Sequence, residues 1–362
     1  MPLADDLAAW LGLSLTPGLN PESLRRLLAE FGGPEPILAA SRTALARHVG
    51  DPVAAAIKQA GTNPALAAAA AWLDDPANHV VTLADAGYPP QLLQIPDPPP
   101  LLYVKGRVEL LSRPSIAIVG SRNGTAQGIV NAEAFARVMS DAGLTVVSGL
   151  ALGIDAAAHR GGLAGACASV AVLGTGADIV YPARNRALAH ELAARGALVS
   201  EYPLGTSPLP GNFPRRNRLI SGLALGCLVV EAAADSGSLI TARLAAEQGR
   251  EVFAIPGSIH SPLARGCHAL IRQGAKLVES ANDSLEELKL QAPPTAAHAA
   301  IAVPDPGAHR LLEALGHDPC DLGTLVARCG LTAAETAALL TQLELDGHVA
   351  MLPGGLYQRL AR

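Results

Sequence analysis

The segment Ser-Ile-Ala-Ile-Val-Gly-Ser-Arg-Asn-Gly-Thr, residues 115–125, joins a short apolar run directly to a glycine-containing loop. Hydrophobicity that is continuous rather than alternating predicts a strand buried on both faces, as in a parallel sheet between helix layers. Six similar runs follow, separated by helix-length segments, at residues 144–148, 169–173, 197–200, 227–231, 251–255 and 276–278. This regular alternation predicts an α/β domain over residues 114–290, with a doubly wound, mostly parallel sheet.

Glycine and small polar residues follow four of the predicted strands. These loops span residues 119–125, 148–155, 173–178 and 231–241. In a parallel sheet they lie at one edge, which is where ligands bind. Because a single glycine often serves only a tight turn, it is the four loops together that predict a binding crevice.

A basic segment, residues 211–222, adds charge and an aromatic ring to this crevice. Its sequence is Gly-Asn-Phe-Pro-Arg-Arg-Asn-Arg-Leu-Ile-Ser-Gly, and Pro214 suits the first turn of a helix. The arginines would fan out from a helix N-terminus, which attracts anions through its free N–H groups and its dipole. Phe213 offers a flat face to a base, so the segment predicts a ligand with both phosphate and base. The three arginines are Arg215, Arg216 and Arg218.

Length and composition indicate a soluble globular protein of two or three domains. The chain has 362 residues, of which 49% are hydrophobic and 16% charged, and no apolar run is long enough to span a bilayer. The net charge of −5 argues against a protein that coats nucleic acid with its whole surface, but it allows a local basic pocket. The acidic N-terminus does not resemble a secretory signal, so a cytoplasmic location without a membrane partner is expected.

The sequence lacks the signatures of common cofactor and metal sites. The five cysteines are widely spaced, form no Cys-x-x-Cys pair and are expected to be reduced thiols that bind no metal. The first loop lacks Gly-x-Gly-x-x-Gly, and no Walker motif is present, which disfavours NAD and a Walker-type ATPase. No cofactor is therefore expected.

Two enzyme alternatives remain open on these residues. One is a hydrolase built on Ser148, Asp155 and His159, although Ser148 is not on a Gly-x-Ser-x-Gly elbow and His159 is interpreted as a capping or core residue. The other is a nucleotide-processing hydrolase, such as a phosphoribohydrolase, that uses the glycine-rich pocket. It would need Glu231 or Asp235 as its acid or base.

The N-terminal segments differ from the α/β domain in their pattern. Residues 1–75 predict a small helical domain, of the SAM or helix-hairpin-helix kind or a plain docking domain, in which Asn20 caps a helix. Residues 76–113 contain so many prolines that they predict an ordered connector.

The C-terminal segment predicts a winged helix. Residues 291–304 indicate a linker, and residues 305–362 contain short helices followed by a hairpin. The candidate recognition helix, residues 332–346, contains no Arg or Lys, which favours a protein partner over DNA. A third alternative is therefore an adaptor that acts through this domain alone.

Seven ordered blocks of the sequence resemble the DNA-processing protein A (DprA/Smf) family. The resemblance covers essentially the whole chain and is densest between residues 115 and 280. The blocks lie at residues 118–122, 147–159, 181–185, 213–222, 236–242, 249–257 and 270–275.

This resemblance implies a helical N-terminal domain, an extended Rossmann-like core and a C-terminal winged helix. It also implies a cytoplasmic protein without catalytic activity that binds single-stranded DNA and shields it from nucleases. Such a protein helps to load the recombinase RecA during natural transformation. Family members form homodimers through the Rossmann-like domain.

The resemblance further implies a DNA pocket made by the Gly-Ser-Arg loop and by basic residues near the third and fourth loops. Many members have a basic residue directly after Tyr-Pro, where this chain has Ala183, so Arg184 is taken as its substitute. His268 stands where Asn is common and is left out of the site. The predicted phosphate contacts are Gly120, Ser121, Arg122, Arg184, Asn185, Arg215, Arg216, Asn217, Arg218, Ser236, Gly237 and Ser238, with Tyr181 and Phe213 as candidates for base stacking.

Overall fold

A nine-stranded sheet forms the centre of the computed structural model, which describes residues 3–291, 306–316, 319–352 and 354–360. In chain order the strands are β1 Asn78–Thr82, β2 Leu101–Gly106, β3 Ser115–Val119, β4 Thr145–Ser148, β5 Ser169–Val172, β6 Ala197–Ser200, β7 Gly226–Val229, β8 Glu251–Ala254 and β9 Lys276–Leu277. They lie side by side in the order β1-β2-β6-β5-β4-β3-β7-β8-β9, and β3 to β9 are parallel. All seven predicted strands are present, and the predicted fold class is confirmed.

The chain winds across the sheet in both directions from β3. Strands β4, β5 and β6 follow on one side, whereas β7, β8 and β9 follow on the other. Because parallel crossovers are right-handed, the helices of the two halves cover opposite faces. The first set is α7 Ala126–Asp141, α8 Ile154–Ala164 and α9 Arg186–Arg195, and the second is α10 Asn212–Leu223, α11 Ser238–Glu247 and α12 Arg265–Arg272. The winding reverses between β3 and β7, so the loops after these strands diverge and leave a crevice.

The proline-rich segment is more than the predicted connector. Its two strands, β1 and β2, pair antiparallel with each other, and β2 pairs antiparallel with β6, which extends the sheet beyond its parallel part. The prolines at 98–100 end just before β2 begins, so none of them removes a hydrogen bond from the ladder. Tyr103 in this strand is 1% exposed and packs edge-on against Trp72 of the helical region.

Helices occupy the N-terminal region, as predicted. Asn20 caps the second of them, because its side chain accepts a 2.8 Å hydrogen bond from the Ser23 amide. The helices are α1 Asp5–Ser14, α2 Pro21–Phe31, α3 Pro34–Ala39, α4 Arg42–Val49, α5 Asp51–Ile57 and α6 Ala65–Leu73.

The C-terminal region is a winged helix, which confirms that prediction. Strands β11 Val349–Leu352 and β12 Leu356–Arg359 form the antiparallel wing, with the short β10 Cys320–Asp321 beside β12. The helices of the winged helix are α14 Pro306–Leu315, α15 Leu322–Cys329 and α16 Ala333–Leu345. Helix α13, Ala281–Glu287, precedes them in the chain. The predicted linker, apart from Gln291, lies outside the described residues, as does Pro353 of the predicted hairpin.

Among the described residues, no helix has the length and apolar character needed to cross a membrane. Across the same part of the chain, no cluster of three or more His, Cys, Asp or Glu side chains is arranged to hold a metal ion.

Helices α7 and α8 approach each other closely at Gly161, and this contact gives a test of the fold. A Cβ atom added there would lie 2.1 Å from the Glu133 carbonyl oxygen and 2.8 Å from the Ala136 Cβ. We expect Gly161→Ala to lower the free energy of unfolding by about 1–3 kcal/mol, because the helices must separate to admit the methyl group. Urea denaturation followed by circular dichroism measures this.

The matched control for this substitution is Gly61→Ala, where no atom lies within 4 Å of the added Cβ. Equal stability of the Gly161→Ala and Gly61→Ala proteins would contradict the packing described for α7 and α8.

Candidate nucleic-acid interface

A cleft of about 690 Å³ lies at the carboxyl edge of the sheet, where the winding reverses between β3 and β7. Its walls are the loops after these two strands, the first turns of α10 and a segment that follows β5. Ten of the fourteen predicted site residues line it: Gly120, Ser121, Arg122, Tyr181, Phe213, Arg216, Asn217, Ser236, Gly237 and Ser238.

The loop after β3 is held in place by its own backbone. The Ser121 amide donates to the Glu231 carbonyl oxygen at 2.7 Å, and the Ser121 carbonyl oxygen accepts from the Ile154 amide at 3.1 Å. The Ser121 hydroxyl oxygen also accepts from the Asn123 amide at 3.1 Å. These bonds tie the loop to the end of β7 and the start of α8, so its position does not depend on a ligand.

Arg122 extends from this loop with an exposed side chain that lines the cleft. Within the described ranges, no carboxylate forms an ion pair with it. An exposed guanidinium without a protein counter-ion is suited to an anionic ligand, and phosphate matches its planar donor geometry.

The loop after β7 adds neutral donors on the opposite wall. The hydroxyl oxygens of Ser236 and Ser238 lie 2.8 Å apart, at the first turn of α11. The Asn217 side-chain amide donates to the Gly237 carbonyl oxygen at 3.4 Å and so joins this turn to α10. The amides of Ser238, Leu239 and Ile240 donate within this turn, so it is the dipole of the helix N-terminus that favours a bound anion at this wall.

Two aromatic rings stand together in the cleft. The ring centroids of Tyr181 and Phe213 are 5.4 Å apart and the ring planes are inclined by 40°. Tyr181 is 47% exposed, whereas Phe213 is half-buried. The pair therefore offers an aromatic face to a base without a sequence preference, because every base has a stacking surface.

Arg216 lines the cleft from below, and its guanidinium is turned inward. The residue is 6% exposed, and its Nη1 donates to the carbonyl oxygens of Gly149, at 2.8 Å, and of Val172. Burial lowers the pKa of Arg216 to about 10, an effect that the Asp155 carboxylate opposes and the charge of Arg122 reinforces. The prediction that this side chain fans outward is wrong, since backbone carbonyls engage it.

Arg215 and Arg218 do not line the cleft, which corrects the prediction that they face the crevice. Arg218 is buried between two carboxylates, at 2.6 Å from Asp97 and 2.7 Å from Glu201. Arg215 is half-exposed, lies 4.0 Å from Glu201 and lines a separate groove beside the helical region. The helical period explains this separation, because positions 213, 216 and 217 share one face of α10 and positions 215 and 218 share another.

Arg184 and Asn185 also lie outside the cleft lining, contrary to prediction. Asn185 is 9% exposed, and its side-chain amide donates to the carbonyl oxygens of Leu150 at 2.9 Å and Ala151 at 3.1 Å. It therefore supports the loop after β4. Arg184 is exposed, but it is not part of the cleft wall.

Several lining residues were not predicted. Asn123 has an exposed side chain beside Arg122, and Ile240 and Thr241 belong to the first turns of α11. Each lies within a loop or block that the sequence had already marked. Their positions in the loops that follow the strands could therefore have identified them as lining residues.

The geometry does not support the hydrolase built on Ser148. The Ser148 hydroxyl donates to the Ile118 carbonyl oxygen at 2.7 Å, and the fully buried His159 is bonded elsewhere. His159 Nδ1 lies 2.8 Å from the Ser169 hydroxyl oxygen, and Nε2 accepts from the Leu150 amide at 3.2 Å. His159 is a core residue, in agreement with the sequence-based interpretation.

Comparison with known proteins identifies the family. Residues 79–289 match the family model of DNA recombination-mediator protein A, and residues 292–355 match that of the DprA winged helix domain. The chain belongs to the DprA/Smf family. This confirms the resemblance inferred from the sequence and associates the protein with DNA processing and recombination.

Relatives of this DprA/Smf chain include one sequence and two solved structures. Protein Smf of Escherichia coli K12 is 43% identical over 302 residues, which cover 80% of each chain. The X-ray structure of DNA processing protein A from Streptococcus pneumoniae is 37% identical, with a TM-score of 0.69 over 79% of this chain and 99% of that one. The Helicobacter pylori protein, known from a structural study of its single-stranded DNA binding mode, is 29% identical with a TM-score of 0.53, over 58% of this chain and 96% of that one.

Burial of His159 makes the stability of the protein depend on pH. Burial lowers the pKa of His159 from 6.5 to about 3, with smaller contributions from the charges of Arg216 and Arg160. The unfolded chain therefore binds a proton that the folded protein excludes, so stability falls as the pH drops from the unfolded pKa towards the folded one. Between about pH 6 and pH 4, His159→Gln should reduce the slope of unfolding free energy against pH by up to ~1.4 kcal/mol per pH unit.

Urea denaturation at a series of pH values measures this slope, and His190→Gln, at an exposed position on α9, is the control. An unchanged slope in His159→Gln would contradict the buried, neutral histidine.

Proposed function

We propose that this protein binds single-stranded DNA in the cleft between the loops after β3 and β7, protects incoming DNA and helps to load the RecA recombinase in natural transformation. One observation carries the proposal. Arg122 is exposed and has no ion-pair partner among the described residues. It lines one cleft together with the first turn of α11 and the Tyr181–Phe213 pair, at the point where the strand order reverses. A ligand that fills it must present negative charge and a flat ring together, as a nucleotide does.

The cleft suggests how one strand of DNA is held. Arg122 contacts phosphate, and the neutral donors around it complete the phosphate contacts. These donors are the backbone groups of Gly120 and Gly237, the hydroxyls of Ser121, Ser236 and Ser238, and the side-chain amide of Asn217. Because phosphate contacts carry no sequence information, binding should be nearly independent of sequence and sensitive to salt.

The aromatic pair gives the preference for a single strand. Tyr181 and Phe213 are reached only by a base that has left its stack, whereas duplex bases are stacked and paired. The Helicobacter pylori relative, described by its single-stranded DNA binding mode, supports the same ligand.

We propose that the protein acts without catalysis. The phosphoribohydrolase alternative needs an acid or base that faces the ligand. The Glu231 carboxylate instead accepts from the Thr125 amide at 2.8 Å and hydroxyl at 2.6 Å, and it is not part of the cleft lining. Asp235, the other candidate, is exposed and is likewise not part of that lining.

The resemblance to the family also supports a homodimer through the Rossmann-like core and RecA as a partner. Two clefts on one dimer would hold a single long strand more tightly than either cleft alone. We propose a cytoplasmic location because the five cysteines are free thiols, which that compartment maintains.

Substitution of Arg122 tests the proposed site. We expect Arg122→Ala to weaken binding of a single-stranded oligonucleotide about tenfold, the effect of losing a charged hydrogen bond of ~1.5 kcal/mol. The slope of log affinity against log salt should fall by about 0.7, because one phosphate contact is lost. Fluorescence anisotropy with a labelled oligonucleotide measures both quantities.

The control is Arg137→Ala, an exposed arginine on α7 that is paired with Asp141. Equal affinity of the unsubstituted protein for single-stranded and duplex DNA at moderate salt would argue against the proposal. If Arg122→Ala still loads RecA onto single-stranded DNA and removal of residues 292–362 abolishes loading, the adaptor alternative is the better explanation.

A further inference from the structure

A buried guanidinium connects two strand ends beneath the cleft. Arg216 Nη1 donates to the carbonyl oxygen of Gly149, the first residue after β4, and to that of Val172, the last residue of β5. Its Nε donates to the Asn217 side-chain oxygen at 3.1 Å. Three neighbouring groups of this protein thus engage the guanidinium, which is how a structural arginine is held.

Hydrogen bonds from two side chains hold the turn after β4. The guanidinium binds the Gly149 carbonyl, while the buried Asp155 carboxylate accepts from the amides of Gly149 at 3.1 Å and Ala151 at 3.4 Å. Leu150 between them has a φ of +56° and donates its amide to His159. A left-handed conformation at a branched residue persists only where its surroundings hold it.

The absence of a side chain at Gly149 leaves room for the Arg216 guanidinium. A Cβ atom at position 149 would lie 2.3 Å from Nη2 and 2.5 Å from Cζ of Arg216, closer than any real contact. The guanidinium therefore packs flat on the backbone of the turn, in space that only a glycine leaves open.

We propose that Arg216 is a positioning residue, which holds the ends of β4 and β5 against α10 and thereby fixes the floor of the cleft. Its effect reaches the ligand through two lining residues. Ala151 lies in the hydrogen-bonded loop after β4. Phe213 lies three residues before Arg216, on the same face of α10. This role rests on the proposed function only in that the cleft is taken as the site of DNA binding.

Lysine substitutions separate positioning from phosphate contact. Lysine keeps the charge but not the planar fork that spans two carbonyls, whereas it still serves as a phosphate-binding point charge. We expect Arg216→Lys to lose about tenfold or more in affinity for a single-stranded oligonucleotide, with an unchanged salt slope, because a loosened site no longer holds its geometry. The matched control is Arg137→Lys, at an exposed position on α7 outside the cleft lining, and it should leave the affinity unchanged.

Two further measurements exclude a general loss of stability. Binding by Arg216→Ala should be partly restored by millimolar guanidinium chloride but not by the same concentration of sodium chloride. Amide hydrogen exchange in residues 149–151 should be faster in Arg216→Lys than in the unsubstituted protein, with exchange in α12 of the same domain unchanged. If the Arg216 variants do not fold, Gly149→Ala, which displaces the guanidinium and keeps its charge, should show the same loss of affinity and the same salt slope.

The affinity and the salt slope of the Arg216 variants decide whether Arg216 is a positioning residue. Normal affinity in Arg216→Lys, or a salt slope lower by about 0.7 in Arg216→Ala, would overturn the proposal in favour of no role or of a direct phosphate contact. If the unsubstituted protein binds no single-stranded DNA, the proposed function fails, while hydrogen exchange in residues 149–151 still tests the positioning role.

Discussion

The reversal of winding between β3 and β7 is the constraint on which the rest of the structure depends. Neighbouring parallel strands elsewhere are joined by helices on a common face, but the connections from these two strands leave towards opposite faces. The crossover helices therefore leave open the space between the loops after β3 and β7. The loop that carries Arg122 and the first turn of α11 therefore face each other across a cleft, and the ligand is the natural occupant.

The helical period decides which charges face that cleft. Within the basic segment, Phe213 and Arg216 share the cleft face. Arg215 instead lines the groove beside the helical region, and Arg218 is paired with Asp97 and Glu201. The number of arginines in a segment does not show which way each side chain faces. Arg218 is buried against Asp97, 121 positions away in the chain, and such a partner is not visible in a local pattern. Arg122, which has no ion-pair partner in the part of the chain that the structure describes, carries the exposed positive charge of the cleft, rather than the arginine-rich segment.

The elements of the core could be predicted because buried parallel strands have a direct signature. Continuous apolar runs predicted seven strands, and the glycine-containing loops after four of them predicted the edge at which the loops meet. Strand β2 was missed because the prolines before it mask the short apolar run at 101–104, and its antiparallel partner β1 was missed with it. The inward turn of Arg216 and the support that Asn185 gives to the neighbouring loop were also missed, because both depend on carbonyls brought close only by the fold.

The most direct test of the account is photocrosslinking of a single-stranded oligonucleotide that contains 5-iodouracil, followed by mass spectrometry of the peptides. We expect the crosslinks to concentrate on Tyr181 and Phe213, the rings that face the cleft. Crosslinks confined to the winged helix, or to the groove beside Arg215, would contradict it, because the strand would then be bound away from the reversal point of the sheet.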